Sequence, residues 1–291
     1  MDYIFHIVIM ISIYAILTTS ANLVIGMVNL LSIAQAAFYG VGAYITALSF
    51  MILGLSLLPS LILAIIIAGL FGFLIGFASL RLKGDYFVLS TLGFQIIIYT
   101  ILYNWISVTK GPFGIPGIPA PSIFGIFKIT GINGFLILSL LILGIVLFIF
   151  NRLINSPFGR ALKGVRDDEI AMLSLGRNTS EIKILAFTIS SAFSAISGFI
   201  FASYMTYIDP TSFSLDESIF IVSAVLIGGT GNLKGPIIGA VFVVLLPEML
   251  RFVGLPDNIA ANFRMIIYGL ALCLFMYLRP QGIAGDYKFQ R

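Results

Sequence analysis

Few residues in this 291-residue chain have the chemistry to act on a substrate. Its single histidine, His6, and its single cysteine, Cys273, lie near opposite ends of the sequence. That excludes a His-based zinc site or catalytic dyad, an internal disulfide and any Cys-based metal site. Carboxylates run together at Asp167, Asp168 and Glu169. A metal or acid–base site is one use of such a run, but at a helix start the backbone dipole is sufficient reason for it. The run GGTGNLKGP, residues 228–236, is rich enough in glycine to resemble a phosphate loop. Lys234 is followed by Gly235, however, so the hydroxyl that would hold Mg²⁺ is missing and no P-loop ATP site is expected. What remains is polar chemistry inside apolar sequence: Ser32 and Gln35 in SIAQAAFYGVGAY, followed by Gly40 and Gly42. A glutamine amide is costly in hydrocarbon unless it faces a bundle interior or a water-filled path, and small neighbours let another backbone approach. Two readings stand side by side: a helix lining a translocation path, and a polar residue tied to a neighbouring helix.

The elements that must position these residues are set by composition. Hydrophobic residues make up 59% of the chain and charged residues 10%, against roughly 45–50% and about 25% in a soluble domain. With a mean hydropathy of +1.11, a soluble enzyme, a disordered chain and a disulfide scaffold are all excluded. A spanning helix needs about 20 mostly apolar residues to cross a hydrocarbon core of about 30 Å. Residues 4–26, 58–80, 86–103, 132–150 and 184–207 meet that requirement, and 29–53 does so with an unusually small and polar start. Residues 218–228 and 236–250 flank the Gly-rich break, and 263–278 close the series. No Lys or Arg precedes the first apolar run, which is longer than a signal h-region, so it is read as a true span. The expectation is an all-α integral membrane protein: one transmembrane domain, residues 1–291, holding a polytopic bundle of about 8–9 transmembrane helices and a cytoplasmic loop at 151–183.

Charge placement orients the bundle. With nine crossings and the C-terminus inside, 12 of the 16 Lys and Arg fall on the cytoplasmic side and only Lys110, Lys128, Arg251 and Arg264 outside, as the positive-inside bias requires. The N-terminus is then outside; an eight-span arrangement with one re-entrant segment puts it inside. Either way the formal charge of +4 reads as topology and not as a nucleic-acid patch. Intramembrane charge is scarce: Glu248 and Arg251 are placed to pair near the outer end of their span.

Two patterns concern helix contacts. Ser190, Ser194, Gly198 and Ala202 put a small residue at every fourth position, Gly231, Gly235 and Gly239 repeat the pattern, and Gly72 and Gly76 make a shorter run. Such smooth faces allow close packing within the chain or against a subunit. In 151–183, Phe158, Ala161, Leu162 and Val165 fall on one helical face, with Arg160, Lys163 and Arg166 expected on the other. Asp167, Asp168 and Glu169 then open a second short helix that Gly176 ends, and Asn178 with Glu181 forms a capping pair for the next span. Two short helices between spans make a docking surface or a solvated loop lying on lipid headgroups.

The blocks NLLSIAQAAFYGVGAY, GRALKGVRDDEIAMLSLGRN and DPTSFSLDESIFIVSAVLIGGTGNLKGPIIGA, together with RLKGDYFVLSTLGF, TKGPFGIPGIP and LRPQGI, occur in the order of the LivM family. The chain resembles that family, the permease subunits of ABC importers for branched-chain amino acids, from about Thr18 to Ile283. Ala34 and Gln35 stand where a Gly and a His are frequent, so the resemblance assigns that helix to the path without assigning a ligand-binding residue. It implies a bacterial cytoplasmic (inner) membrane location, a second LivH-like permease, two cytoplasmic ATPases carrying the ATP and Mg, and an extracytoplasmic substrate-binding protein. It implies no cofactor on this chain itself. Residues 160–176 become the segment that seats in the ATPase, including Arg160, Lys163, Arg166, Asp167, Asp168, Glu169 and Gly176. Related importers for urea, short amides or sugars, and an ion-coupled secondary transporter, are the competing readings.

Overall fold

The computed structural model describes residues 1–79, 82, 84–123, 127–251, 266–267, 269–270, 273–274 and 282–285. Their helices are α1 (Asp2–Ile25), α2 (Gln35–Met51), α3 (Leu57–Ser79), α4 (Asp85–Asn104), α5 (Ile106–Thr109), α6 (Ile132–Asn155), α7 (Pro157–Asp167), α8 (Glu169–Ser174), α9 (Thr179–Met205), α10 (Leu215–Gly228) and α11 (Lys234–Arg251). Two short antiparallel pairs accompany them: β1 (Ile115–Pro116) with β4 (Tyr207–Ile208), and β2 (Ser122–Ile123) with β3 (Phe127–Lys128). By length and composition α1, α3, α4, α6 and α9 can each cross a membrane.

Side-chain size sorts the bundle. On α3, Leu58, Ile62, Ile66, Leu70, Leu74 and Phe77 are exposed at helical spacing, while Ala64, Ala68, Gly72 and Gly76 are buried. Where the outer solvent is lipid, large apolar groups lose nothing by facing it, and small residues are reserved for close helix contact. A Cβ added at Gly72 would lie 2.6 Å from the Ser191 Cβ on α9, and one at Gly42 would lie 2.5 Å from the Ala195 Cα. The small-residue face of α9 is therefore an intramolecular seam, with α2, α3 and α1 against it.

The ends of α1 lie on opposite faces of the bundle. His6 hydrogen-bonds the Tyr204 hydroxyl, near the end of α9, at 2.7 Å, whereas Gly26 meets α7. Two boundaries differ from the sequence reading. Residues 29–34 are not helical: Asn29 has φ 58°, and the Ile33 N–H is taken by the Thr91 hydroxyl at 3.2 Å, so α2 starts only at Gln35. The helix after the 210–213 turn starts at Leu215 instead of residue 218, which brings Asp216 and Glu217 into its first turn. The expected span 263–278 lies largely outside the described residues, as do Arg81, Lys83, Arg264, Arg279, Lys288 and Arg291 and the side chains of Lys128 and Arg251. The expected Glu248–Arg251 pairing therefore falls outside them too. Glu248 accepts a hydrogen bond from the Tyr3 hydroxyl. At the other end of α10, the N–H groups of Ile283 and Ala284 bond the carbonyls of Ile227 and Gly228, each at 2.9 Å.

Candidate functional site

With 17 and 14 residues, α2 and α10 are only about 25 and 21 Å long at the α-helical rise, too short to cross the hydrocarbon layer alone. Both begin inside the bundle. The first N–H groups of a helix have no intrahelical acceptor, and at membrane depth no water replaces it. For α2, side chains do so: Ala37 N–H donates to Gln95 Oε1 at 2.6 Å and Ala36 N–H to Ser218 Oγ at 3.0 Å. Ser218 in turn donates to Gln95 Oε1 at 3.1 Å, and Gln95 Nε2 donates to the Phe213 carbonyl at 2.9 Å. One glutamine at the middle of α4 thus joins the starts of α2 and α10, which leave the joint toward opposite faces of the bundle. Gln95 and Ser218 are fully buried. Sequence reading missed both, although a lone glutamine in the centre of an apolar span was the available signal.

Gln35 is also fully buried. Its Nε2 donates to Ser190 Oγ at 3.2 Å and its Oε1 accepts from Ser194 Oγ at 2.8 Å. Those hydroxyls are tied to α1, Ser190 by donating to the Ser20 carbonyl at 2.6 Å and Ser194 by a 2.8 Å contact with Ser20 Oγ. The geometry displayed is the interhelical tie. Ser32 is buried and accepts a 3.4 Å bond from Ala34 N–H. Gly40 faces the Phe213 ring and Gly42 the Ala195 backbone. All four residues are sealed within the chain's own packing.

The sequence reading placed no charge deep in the bundle, and here the structure corrects it. Because α10 starts early, Glu217 sits beside the joint, where its Oε1 accepts a 2.7 Å hydrogen bond from the Tyr14 hydroxyl of α1.

At the far end of the bundle α7 and α8 form a shelf. Ser156 caps α7 through a 3.2 Å bond from Gly159 N–H, ahead of Pro157 in the first turn. Leu162 and Val165 are buried, so the expected apolar face points inward, and Arg160 is exposed. Lys163 is half-buried. Arg166 was expected to face outward and does not: its side chain is only 11% exposed and its guanidinium reaches the Gly26 carbonyl at 3.3 Å. The last carbonyls of a helix lack intrahelical partners, and a cation on a long apolar stem is a group suited to meet one of them. Arg166 also pairs with Asp167 at 2.9 Å.

The other acidic residues serve the backbone. Asp168 caps α8, accepting from Ile170 N–H and Ala171 N–H at 2.9 and 3.0 Å. Glu169 ties α8 to α9 through Lys183 at 2.6 Å and the Thr179 hydroxyl at 3.0 Å. Gly176 has φ 75°, the left-handed conformation that ends a helix, and its N–H reaches the Leu173 carbonyl at 2.9 Å. Asn178 and Glu181 form the expected cap on α9, the Asn178 amide donating to the Glu181 carboxylate at 2.7 Å. Sequence reading missed the apolar surface: Ile170 is 76% exposed, Leu175 77% and Leu173 53%.

The shelf is linked to the bundle. On α1, Asn22 Nδ2 donates to the Asn232 carbonyl at 2.9 Å, and the Asn232 Oδ1 accepts from Gly235 N–H at 2.8 Å at the start of α11. The end of α1, gripped by Arg166, therefore also holds the turn between α10 and α11.

Apolar helices that cross a membrane, two interrupted ones joined at depth and a shelf at one face define the class: a multi-pass membrane permease. The chain belongs to the family described as "Branched-chain amino acid transport system / permease component", which matches residues 3–276. It is 37% identical over 293 residues to the "High-affinity branched-chain amino acid transport system permease protein LivM" of Escherichia coli (strain K12), covering 93% of this chain and 67% of the relative. A "Probable branched-chain amino acid transport permease protein LivM" of Methanocaldococcus jannaschii is 29% identical, over 78% of this chain and 68% of the relative. The LivH permease of the Salmonella typhimurium system is 24% identical over 94% of this chain and 92% of its own length. No solved structure matches.

Proposed function

We propose that this chain forms the translocation path for branched-chain or related hydrophobic amino acids in an ABC importer of the bacterial inner membrane, as a single permease domain over residues 1–291. Its partners on this reading are a second LivH-like permease, two cytoplasmic ATPases supplying ATP and Mg, and an extracytoplasmic binding protein. The observation that carries the mechanism is the continuous connection from the shelf to the interior. A displacement of α7 pulls, through Arg166, on the end of α1; α1 is bonded to the α10–α11 turn through Asn22 and to α9 through Ser20. ATP, by favouring one state of the ATPase pair, supplies the differential affinity that switches the path between faces.

Nine crossings with the N-terminus outside are supported by three placements. The first residues of α1 lie opposite the shelf, Glu248 meets Tyr3 at that same far face, and residues 282–285 return beside Gly228. On this reading the apolar run 263–278 supplies the ninth crossing. The joint at Gln95, with Ser32, Gln35, Gly40 and Gly42 around the start of α2, forms the wall behind the path. ATPase docking is assigned to α7 and α8, with Ile170, Leu173 and Leu175 as the apolar contact and Arg160, Lys163 and Asp167 at its rim.

The test is reconstitution with the four partners. Replacing Arg160 and the acidic turn 167–169, and separately Ile170 and Leu175 by Asp, is expected to weaken ATPase pull-down and to cut ATP-driven leucine uptake. Unchanged association and uptake overturn the docking assignment. Uptake that needs no ATPase and follows an ion gradient identifies a secondary transporter, and preferential uptake of urea, amides or sugars reassigns the cargo.

A further inference from the structure

Glu217 is an ionisable group inside a membrane bundle, and its surroundings are incomplete. A carboxylate offers about four lone-pair positions; Tyr14 fills one of them. Among the described residues, the ion pairs are Arg166–Asp167 and Lys183–Glu169, both at the shelf, and no described Lys or Arg is paired with Glu217. The N-terminal dipole of α10 offsets about 0.3–1 kcal/mol of an exposed charge, whereas an unpaired carboxylate out of water costs several times more. Such a group is the default candidate for a functional contact.

Its flank is open. Tyr3, Ile7, Met10 and Tyr14 fall on one stripe of α1, at i, i+4, i+7 and i+11, and none of the four is buried. Each end of the stripe holds a glutamate from a later helix: Tyr3 donates to Glu248 and Tyr14 to Glu217. The Tyr14 ring also sits edge-on to Phe220, with centroids 5.9 Å apart. A molecule moving inward along this stripe meets a carboxylate at the outer end, aliphatic side chains in between, and a second carboxylate beside the joint where α2 and α10 begin. That sequence of surfaces suits a ligand with a cationic head and an aliphatic body.

We propose that Glu217, held in place by Tyr14, accepts the primary ammonium group of the cargo at mid-membrane. This rests on the amino-acid permease reading and deepens it, because an ammonium group brings three donors and one charge to a carboxylate that has a single donor, Tyr14, and no counter-charge. Glu248 is the outer relay of the same path.

The experiment uses the complex of this chain with its second permease and ATPases, in proteoliposomes with leucine-loaded binding protein. Glu217→Gln is expected to lower leucine uptake by about tenfold or more. Glu217→Asp should restore part of the uptake, and Tyr14→Phe should cost about threefold. A merely structural role is separated by binding to the solubilised complex without binding protein. The native complex should hold leucine about tenfold tighter than 4-methylpentanoate, which lacks the ammonium, and Glu217→Gln should bring the two within about twofold. Uptake and binding ratio both unchanged in Glu217→Gln overturn the proposal. If Glu217→Gln does not assemble, Glu217→Asp and Tyr14→Phe decide: native uptake and an unchanged ratio in both overturn it, and the stated losses support it. A native complex that neither binds nor moves leucine overturns the amino-acid reading itself, whereas leucine transport indifferent to Glu217 overturns this proposal alone.

Discussion

Around Gln95 polar groups are turned inward and paired, whereas on α8 large apolar side chains are turned outward. The N–H groups of Ala36 and Ala37, the Ser218 hydroxyl and the Phe213 carbonyl all find partners within one buried cluster. Ile170, Leu173 and Leu175 are each more than half exposed among the described residues. Each region inverts what its surroundings favour, since hydrocarbon penalises unpaired polar groups and water penalises exposed apolar ones. Only one of the two inversions is complete. At the joint the cost is removed internally, so the cluster is part of the fold. On the shelf it persists in the chain itself, which is why docking is proposed there.

Breaking the joint should have the largest effect. Gln95→Leu leaves two donors and one acceptor unpaired, each costing about 1–3 kcal/mol, and the chain is expected to lose its cooperative thermal transition in detergent; a native-like midpoint would show the cluster to be dispensable. Next, Gly198→Leu forces a side chain into the α2–α9 seam, where even a Cβ would lie 2.5 Å from the Ala43 amide nitrogen, at a cost of about 3 kcal/mol. The same thermal scan measures it. On the shelf, the double change Ile170→Asp and Leu175→Asp should leave the midpoint within about 0.5 kcal/mol of native while weakening ATPase association about tenfold. A shifted midpoint with normal association would reverse the roles of the two regions. Smallest of all, Asp167→Asn removes an ion pair whose carboxylate is exposed and whose Arg166 keeps the Gly26 carbonyl, and should change stability by less than about 0.5 kcal/mol; a larger loss would place Asp167 with the structural carboxylates.

Much of the shelf was legible because its signals are local. The face of Leu162 and Val165, the glycine stop at Gly176 and the cap from Asn178 to Glu181 depend on residues within a turn or two of each other. Arg166 was misplaced because its partner, the Gly26 carbonyl, is 140 residues away. The joint was half legible. Gln35 stood out as a polar residue in an apolar stretch, but its partners Ser190 and Ser194 lie on α9, where they read as packing residues. Gln95 and Ser218 carried no local sign that they cap another helix. The sequence reading began that span at residue 218, just past Glu217, because apolar length alone does not locate where α10 begins.

Hydropathy, side-chain size and capping act over a few residues and need no knowledge of the fold, so a membrane bundle, its small-residue faces and a helical segment between spans are readable from the chain alone. Only the tertiary structure decided where α2 and α10 begin, which glutamine closes the gap between them, and that α1 connects the shelf to the interior. Those outcomes depend on which distant segment supplies the missing hydrogen-bond partner, and in a membrane such partners come from the protein.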